Sequence, residues 1–137
     1  MNKKENLIRF ENIKDVLNFL KREGDYSLLA ELCGLVGLDE HKNIVYKQMQ
    51  NRSKNPEAYF LIDPFDYLSF IKDFEILMIY HTHLCGDEFP SDFDEKTSEN
   101  CCLPFLIYSV STEKFFIYEP TNKDYDVNII QRLKELI

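Results

Sequence analysis

The sequence has no surplus of positive charge. Its 16 lysines and arginines are outnumbered by 24 aspartates and glutamates, leaving a net charge of −8. Binding a phosphate backbone is therefore not the expected business of this chain, and no nucleic-acid partner is expected. Long apolar runs are also missing. None approaches the ~18 residues that cross a bilayer, so no membrane partner is expected either. The opening Met1-Asn-Lys-Lys-Glu-Asn6 leads into an amphipathic segment rather than the apolar core of a signal peptide. The four cysteines, Cys33, Cys85, Cys101 and Cys102, have no C-x-x-C spacing. Together these features point to a cytoplasmic protein with reduced thiols. Glycine and proline are few, and repeats, low-complexity tracts and linkers are absent, which argues against disorder. What remains is an ordinary globular composition, 45% hydrophobic and 29% charged, in 137 residues. That length suits a single domain over residues 1–137 with a real core.

Read in order, residues 1–11 are polar and expected to fray. Asn12 suits the cap of a helix over 13–22, with Ile13, Val16, Leu17 and Leu20 on one stripe and Gly24 as its end. Residues 27–38 are mostly apolar, with one carboxylate, Glu31, inside. A glutamate there is either the exposed residue of a half-buried element or a group with a task. Alternation predicts a strand over 43–50. A loop at 51–56 and a second strand at 58–62 follow. Asp63 and Pro64 suit a helix start, and Phe65, Leu68 and Ile71 form the stripe of a helix over 64–72. The aromatic stretches 59–80 and 105–118 read as core.

An apolar strand over 75–82 then delivers His81 and His83, whose i, i+2 spacing places both rings on one face. Ser91 or Asp92 caps a helix running to about Cys102, with Asp94 in its first turn. Two strands, 103–108 and 114–118, form a hairpin. Asp126 caps a last helix with Val127, Ile130, Leu133 and Leu136 on one face. Helices alternating with strands, and at least one hairpin, give an α/β fold with a mixed sheet.

A His-x-His pair alone is commonplace. The longer string His81-x-His83-x7-Ser91-x-x-Asp94 after an apolar strand is not. Two neutral imidazoles and a carboxylate suit zinc and leave a fourth position for water. A nearby carboxylate can move protons for that water, and a hydroxyl can stabilise an oxyanion. His41 lies in a polar turn and reads as exposed. Cys85 either shapes the loop or acts as a switch on the site. Cys101 and Cys102 either pack at an element end or form a redox pair.

The string resembles the metal motif of the JAMM metalloproteases of the JAB/MPN superfamily: a distant glutamate, His-x-His, seven residues, Ser, two residues, Asp. Thr82 stands where Ser or Thr is common. Upstream, Glu31-Leu-Cys33-Gly34-Leu35 is similar to a segment of the bacterial members, as are Asn51 and Phe60-Leu-Ile-Asp63-Pro64. The resemblance spans roughly residues 13–120. It implies a mixed, curved sheet flanked by helices, akin to cytidine deaminases. It also implies one Zn2+ held by His81, His83 and Asp94 with water as fourth ligand, Glu31 as general base, and Ser91 as oxyanion donor.

The implied activity is peptidase or isopeptidase cleavage after the C-terminal tail of a ubiquitin-like protein, the expected partner. Such a tail would enter extended and pair with a sheet edge. Relatives also process sulfur carriers and phage tail proteins, and Asp94 to Phe105 resembles the phage-tail group. The alternatives are therefore a phage-tail-assembly-type peptidase or a non-catalytic assembly module of the same fold. The short spacing from Asp63 to His81 argues against linkage-selective polyubiquitin cleavage. The missing His-x-Glu and Pro-Cys-x-x-Cys patterns argue against a nucleobase deaminase.

Overall fold

A computed structural model describes residues 7–137. The described elements are β1 (Leu7–Phe10), α1 (Ile13–Tyr26), β2 (Cys33–Leu38), β3 (Ile44–Met49), α2 (Pro64–Asp73), β4 (Glu75–His83), α3 (Asp92–Cys101), β5 (Phe105–Ser109), β6 (Lys114–Tyr118) and α4 (Val127–Glu135). The strands form one sheet in the order β1-β3-β2-β4-β5-β6. Only the β4–β5 pair is parallel; the other pairs are antiparallel. The expected α/β fold with a mixed sheet is what the structure has.

Two apolar layers sandwich this sheet. On one face Val16, Leu17 and Leu20 of α1 and Ile130 and Leu133 of α4 pack against Val36, Tyr46, Tyr80, Leu106 and Tyr108. On the other, Phe60 and Phe70 cover Leu35, Val45, Ile79, Phe105 and Ile107. Each fully buried leucine or isoleucine contributes about 1.5–3 kcal/mol. A bulge in β4 decides which side chains reach which face. Val36 lies opposite Met78 and Gly37 opposite Ile76, so Leu77 is the extra residue. Leu77 and Met78 therefore both join the α1/α4 layer. Beyond them alternation resumes, sending Tyr80 and Thr82 to that side and Ile79, His81 and His83 to the other.

Several expectations need correction. Residues 7–10 are not frayed but form β1 against β3, with Phe10 in the core; residues 1–6 lie outside the described part. The predicted strand at 58–62 is absent. Its main-chain groups bond to the Asn51 side chain and to Arg52 instead of a ladder, through Tyr59 O, Leu61 N–H and Leu61 O. In α2 the stripe Phe65, Leu68 and Ile71 is exposed, and Phe70 is the buried residue. The stretch from Tyr59 to Ile71 is thus largely surface, not core. Val127 and Leu136 are partly exposed, leaving Ile130 and Leu133 as the anchors of α4. The caps read from sequence at Asn12, Asp63, Ser91 and Asp126 are all present.

Gly24 does not end α1, which continues to Tyr26. It lies where the helix presses close against the sheet. A Cβ there would lie 2.8 Å from Tyr108 Cδ2 and 2.9 Å from Tyr80 Oη. Neither ring is free to retreat, because Tyr80 Oη donates to Leu20 O at 2.7 Å and Tyr108 Oη to Asp25 Oδ1 at 2.6 Å. Overpacking costs about 1–3 kcal/mol, against about 1 kcal/mol gained by alanine in a helix. Gly24→Ala is therefore expected to lower the urea midpoint, by up to about 2 kcal/mol of stability. A midpoint at or above the parent's refutes this account of the contact.

Candidate metal centre

The centre lies where β4 ends beside the start of β2 and the first turn of α3. His81 is fully buried. Its ring stacks on Phe60, with centroids 4.5 Å apart, and meets Phe105 edge-on at 5.4 Å. His83 is half-buried. Its Nδ1 lies 2.8 Å from the carbonyl oxygen of Asp87, and its Nε2 lies 3.0 Å from Asp94 Oδ2. Between the two histidines, Thr82 points the other way. Its N–H donates to Leu32 O at 3.0 Å, and its Oγ1 accepts from Leu32 N–H at 2.8 Å. This double bond holds the residue next to Glu31 against the strand that carries both histidines.

Asp94 comes from a capping box. Ser91 Oγ accepts from Asp94 N–H at 3.1 Å, and Asp94 Oδ2 accepts from Ser91 N–H at 3.0 Å. Ser and Asp three apart satisfy two orphan donors of the helix end reciprocally. The loop between His83 and Ser91 is anchored to the β5–β6 hairpin. Ser111 Oγ donates to Leu84 O at 3.1 Å, Ser109 Oγ to Gly86 O at 2.8 Å, and Thr112 Oγ1 to Glu88 Oε1 at 2.9 Å. Gly86 turns the chain at φ +88°, a conformation that favours glycine.

One donor atom each from His81, His83 and Asp94 lies within 4.8 Å of the others, so these three can hold a metal ion. The donor set fits a cation on its own chemistry. Both His81 ring nitrogens are buried without a hydrogen-bond partner. His81 Nε2 lies 3.3 Å from Asp94 Oδ1, but not in hydrogen-bond geometry. His83 has acceptors facing both nitrogens, the Asp87 carbonyl and the Asp94 carboxylate. A neutral imidazole has one N–H and can serve only one of them. With the proton on Nδ1 toward Asp87, the Nε2 lone pair is left for a metal.

Electrostatics follow the burial. Burial dominates at His81 and holds its pKa below the ordinary histidine value. At His83 burial acts the same way, but Asp94 and the Asp87 carbonyl outweigh it and raise the pKa. Asp94 resists its own burial through the imidazoles and the Ser91 N–H, and stays far below the carboxylate range. Glu31 is 7% exposed, in the turn just before β2. Burial pushes its pKa to about 8, moderated by His83 and reinforced by Asp94. It is not among the three clustered ligands but sits within their electrostatic field. Its burial removes the reading of an exposed residue on a half-buried element.

Ser91 is exposed at the start of α3. Its Oγ accepts from the helix end, so its hydroxyl hydrogen remains free to donate. Cys85 is exposed and is no part of the cluster, and His41 is exposed as expected. Cys101 is exposed, and Cys102 caps α3 in the left-handed conformation at φ 56°. Sequence reading missed Phe60 and Phe105, which seat His81, and the Asp87 carbonyl, which orients His83. Aromatics in an apolar run and a loop carbonyl carry no signal of their own. Thr82 was legible as the middle residue of His-x-His, though its bond to Leu32 was not.

Residues 21–121 match the family described as prokaryotic homologs of the JAB domain. No curated protein matches the chain. Among solved structures, a Desulfitobacterium hafniense protein is similar with a TM-score of 0.57 and 18% identity, over 85% of this chain and 94% of that one. A Salinibacter ruber protein follows at a TM-score of 0.48 and 14% identity, over 82% of this chain and 90% of that one. The first likeness bears on the fold alone.

Glu31 gives the metal-free protein a distinct pH response. Its folded pKa of about 8 exceeds its ordinary 4.5. The stability it contributes is complete below about pH 4.5 and is lost as pH rises through about 8. In chelator-treated protein the share of the slope due to Glu31 approaches at most about −1.4 kcal/mol per pH unit within that window. His83 adds a limb of the same sign at the upper end. Glu31→Gln cannot ionise and is expected to flatten the slope, read as urea midpoints between about pH 5 and about pH 8. Equal slopes for variant and parent refute the assignment.

Proposed function

The chain belongs to the prokaryotic homologs of the JAB domain, and on that footing we propose that it is a zinc-dependent peptidase or isopeptidase cleaving after the C-terminal tail of a ubiquitin-like protein. That family includes metallopeptidases. One observation carries the reading: a three-ligand His-His-Asp group shares its field with a buried, unpaired carboxyl on the neighbouring strand's approach. A site meant only to hold a metal has no use for that fourth group. Burying it unpaired costs stability.

Zinc held by His81, His83 and Asp94 would supply Lewis acidity and activate water for attack. The protein's part is the rest. Glu31, in its ionised form, takes a proton as water attacks the carbonyl, and its burial, which favours the protonated form, then helps it hold that proton for delivery to the leaving nitrogen. The C–N bond breaks, and the products are a carboxylate and an amine. The Ser91 hydroxyl donates to the oxygen that gains charge during attack. Phe60 stacked on His81, Phe105 edge-on to it and the Asp87 carbonyl on His83 keep the rings from reorienting as charge moves.

A protein tail as substrate is supported by the surface near the site. Tyr59, Leu61, Phe65, Leu68 and Phe93 are all exposed, and Tyr59 meets Phe93, the neighbour of Asp94, at 5.6 Å. The exposed Tyr59–Phe93 pair beside the helix that carries Asp94 suits a protein partner rather than a small polar molecule. No described helix is long and apolar enough to cross a membrane. The described cysteines are all free, which agrees with a reducing, cytoplasmic setting.

The test is bound zinc and cleavage of a ubiquitin-like fusion. One zinc per chain is expected, lost on His81→Ala or Asp94→Ala. Glu31→Gln is expected to keep the zinc and lose about 10²–10⁴ in kcat. Undiminished cleavage by Glu31→Gln overturns the mechanism. No stoichiometric zinc and no turnover of any tail favour the assembly module.

A further inference from the structure

Glu31 does the proton work in this reading, yet its carboxyl accepts no hydrogen bond among the described residues; burial and the charges of His83 and Asp94 are what act on it. Its position must therefore come from its backbone. Glu31 N–H donates to Pro56 O at 2.7 Å, and Glu31 O accepts from Asn51 Nδ2 at 3.0 Å. Asn51 lies just beyond β3 and is saturated by such contacts. Its Nδ2 also donates to Tyr59 O at 3.0 Å and, at 3.4 Å, to Pro56 O. Its Oδ1 accepts from Ser53 N–H at 3.0 Å and Leu61 N–H at 3.1 Å. A primary amide offers two hydrogens and two lone pairs, and here backbone takes all of them.

These bonds converge on the site from one direction. Tyr59 and Leu61 flank Phe60, the ring stacked on His81. The metal ligands are secured independently, His81 and His83 by the β2–β4–β5 ladder and Asp94 by the helix cap. One side chain thus fixes the proton carrier's main chain without holding any ligand directly.

We propose that Asn51 is a positioning residue for hydrolysis, holding Glu31 at working distance from His81, His83 and Asp94. The proposal rests on the peptidase reading above. Loss of the amide leaves zinc bound and substrate bound, and slows the chemical step.

A double-mutant cycle separates this role from a merely structural one. Asn51→Asp keeps the two acceptor contacts and turns the donor into an oxygen facing carbonyls. Asn51→Ser, which keeps one hydroxyl, is the second variant should the first not fold. In the zinc-loaded full chain, kcat on the fusion is expected to fall about tenfold to a hundredfold, with KM and zinc affinity within about threefold. In the Glu31→Gln background the same change is expected to cost nothing further. An equal loss in both backgrounds, or an unchanged kcat beside intact Glu31, overturns the proposal.

The second readout needs no turnover. In metal-free Asn51→Asp, amide exchange at Glu31 is expected to quicken about tenfold or more, while Leu61, whose acceptor is kept, and His81 and Thr82 keep their protection. Parent-like exchange at Glu31 overturns the proposal by itself. An inactive parent enzyme with quickened exchange at Glu31 refutes the peptidase reading and, with it, the role in hydrolysis, leaving Asn51 as a structural clamp.

Discussion

β2 and β4 run antiparallel with Cys33 opposite His81 and Gly34 opposite Tyr80. The register sets how far Glu31 lies from the ligand strand. A slip by one residue would turn His81 and His83 into the α1/α4 layer and bring Thr82 to the site. The slip is opposed by both apolar layers and by Gly34. The Tyr46 ring lies where a Cβ at Gly34 would sit, so a larger residue could not take that place. The Leu77 bulge belongs to the same device. It corrects the phase of β4 just before the chain reaches the site, so the core side of the strand and its chemical end obey different alternations.

The metal centre costs the interior stability. A fully buried imidazole with both nitrogens unbonded, a buried carboxyl and an ionised aspartate together spend stability that the apolar layers must offset. The groups are poised rather than relaxed. Burial alone would neutralise all of them. Asp94 nevertheless stays ionised, because imidazoles and a helix N-terminus surround it. Glu31 has no such support, and so stays close to the point where it can both take and release a proton. Two carboxyl groups in one small site are driven apart in acidity by what each can bond to.

Much of this was legible in the sequence. Period-two spacing placed His81 and His83 on one face, and a Ser-x-x-Asp pattern gave both a helix start and the carboxylate. Glu31 was legible only through a resemblance. Its burial is decided by a strand pairing across 50 residues, at the Leu32–Thr82 bond, which no local window contains. Residues 58–62 misled because Tyr59-Phe-Leu-Ile62 has strand composition. The partner of that backbone is a side-chain amide, which leaves no trace in periodicity. The stripe in α2 misled for the opposite reason: its spacing is correct for a helix, but helical spacing does not say which side faces the core. β1 escaped notice because four residues are too few to show a period.

The anchoring of residues 84–90 to the β5–β6 hairpin bears on how this chain can change length. His83 O accepts from Val110 N–H at 3.0 Å, and the hydroxyls of Ser109 and Ser111 hold the next turns, so the loop spans a gap of fixed width. It acts as a ruler between the last histidine and the helix that bears Asp94. An added residue there would have to bulge outward or displace the carboxylate. The 39–43 connection follows the end of β2 that pairs with Glu75, at the opposite end of β4 from the histidines. The interval from His83 to Asp94 is thus a part of the chain with little room to grow.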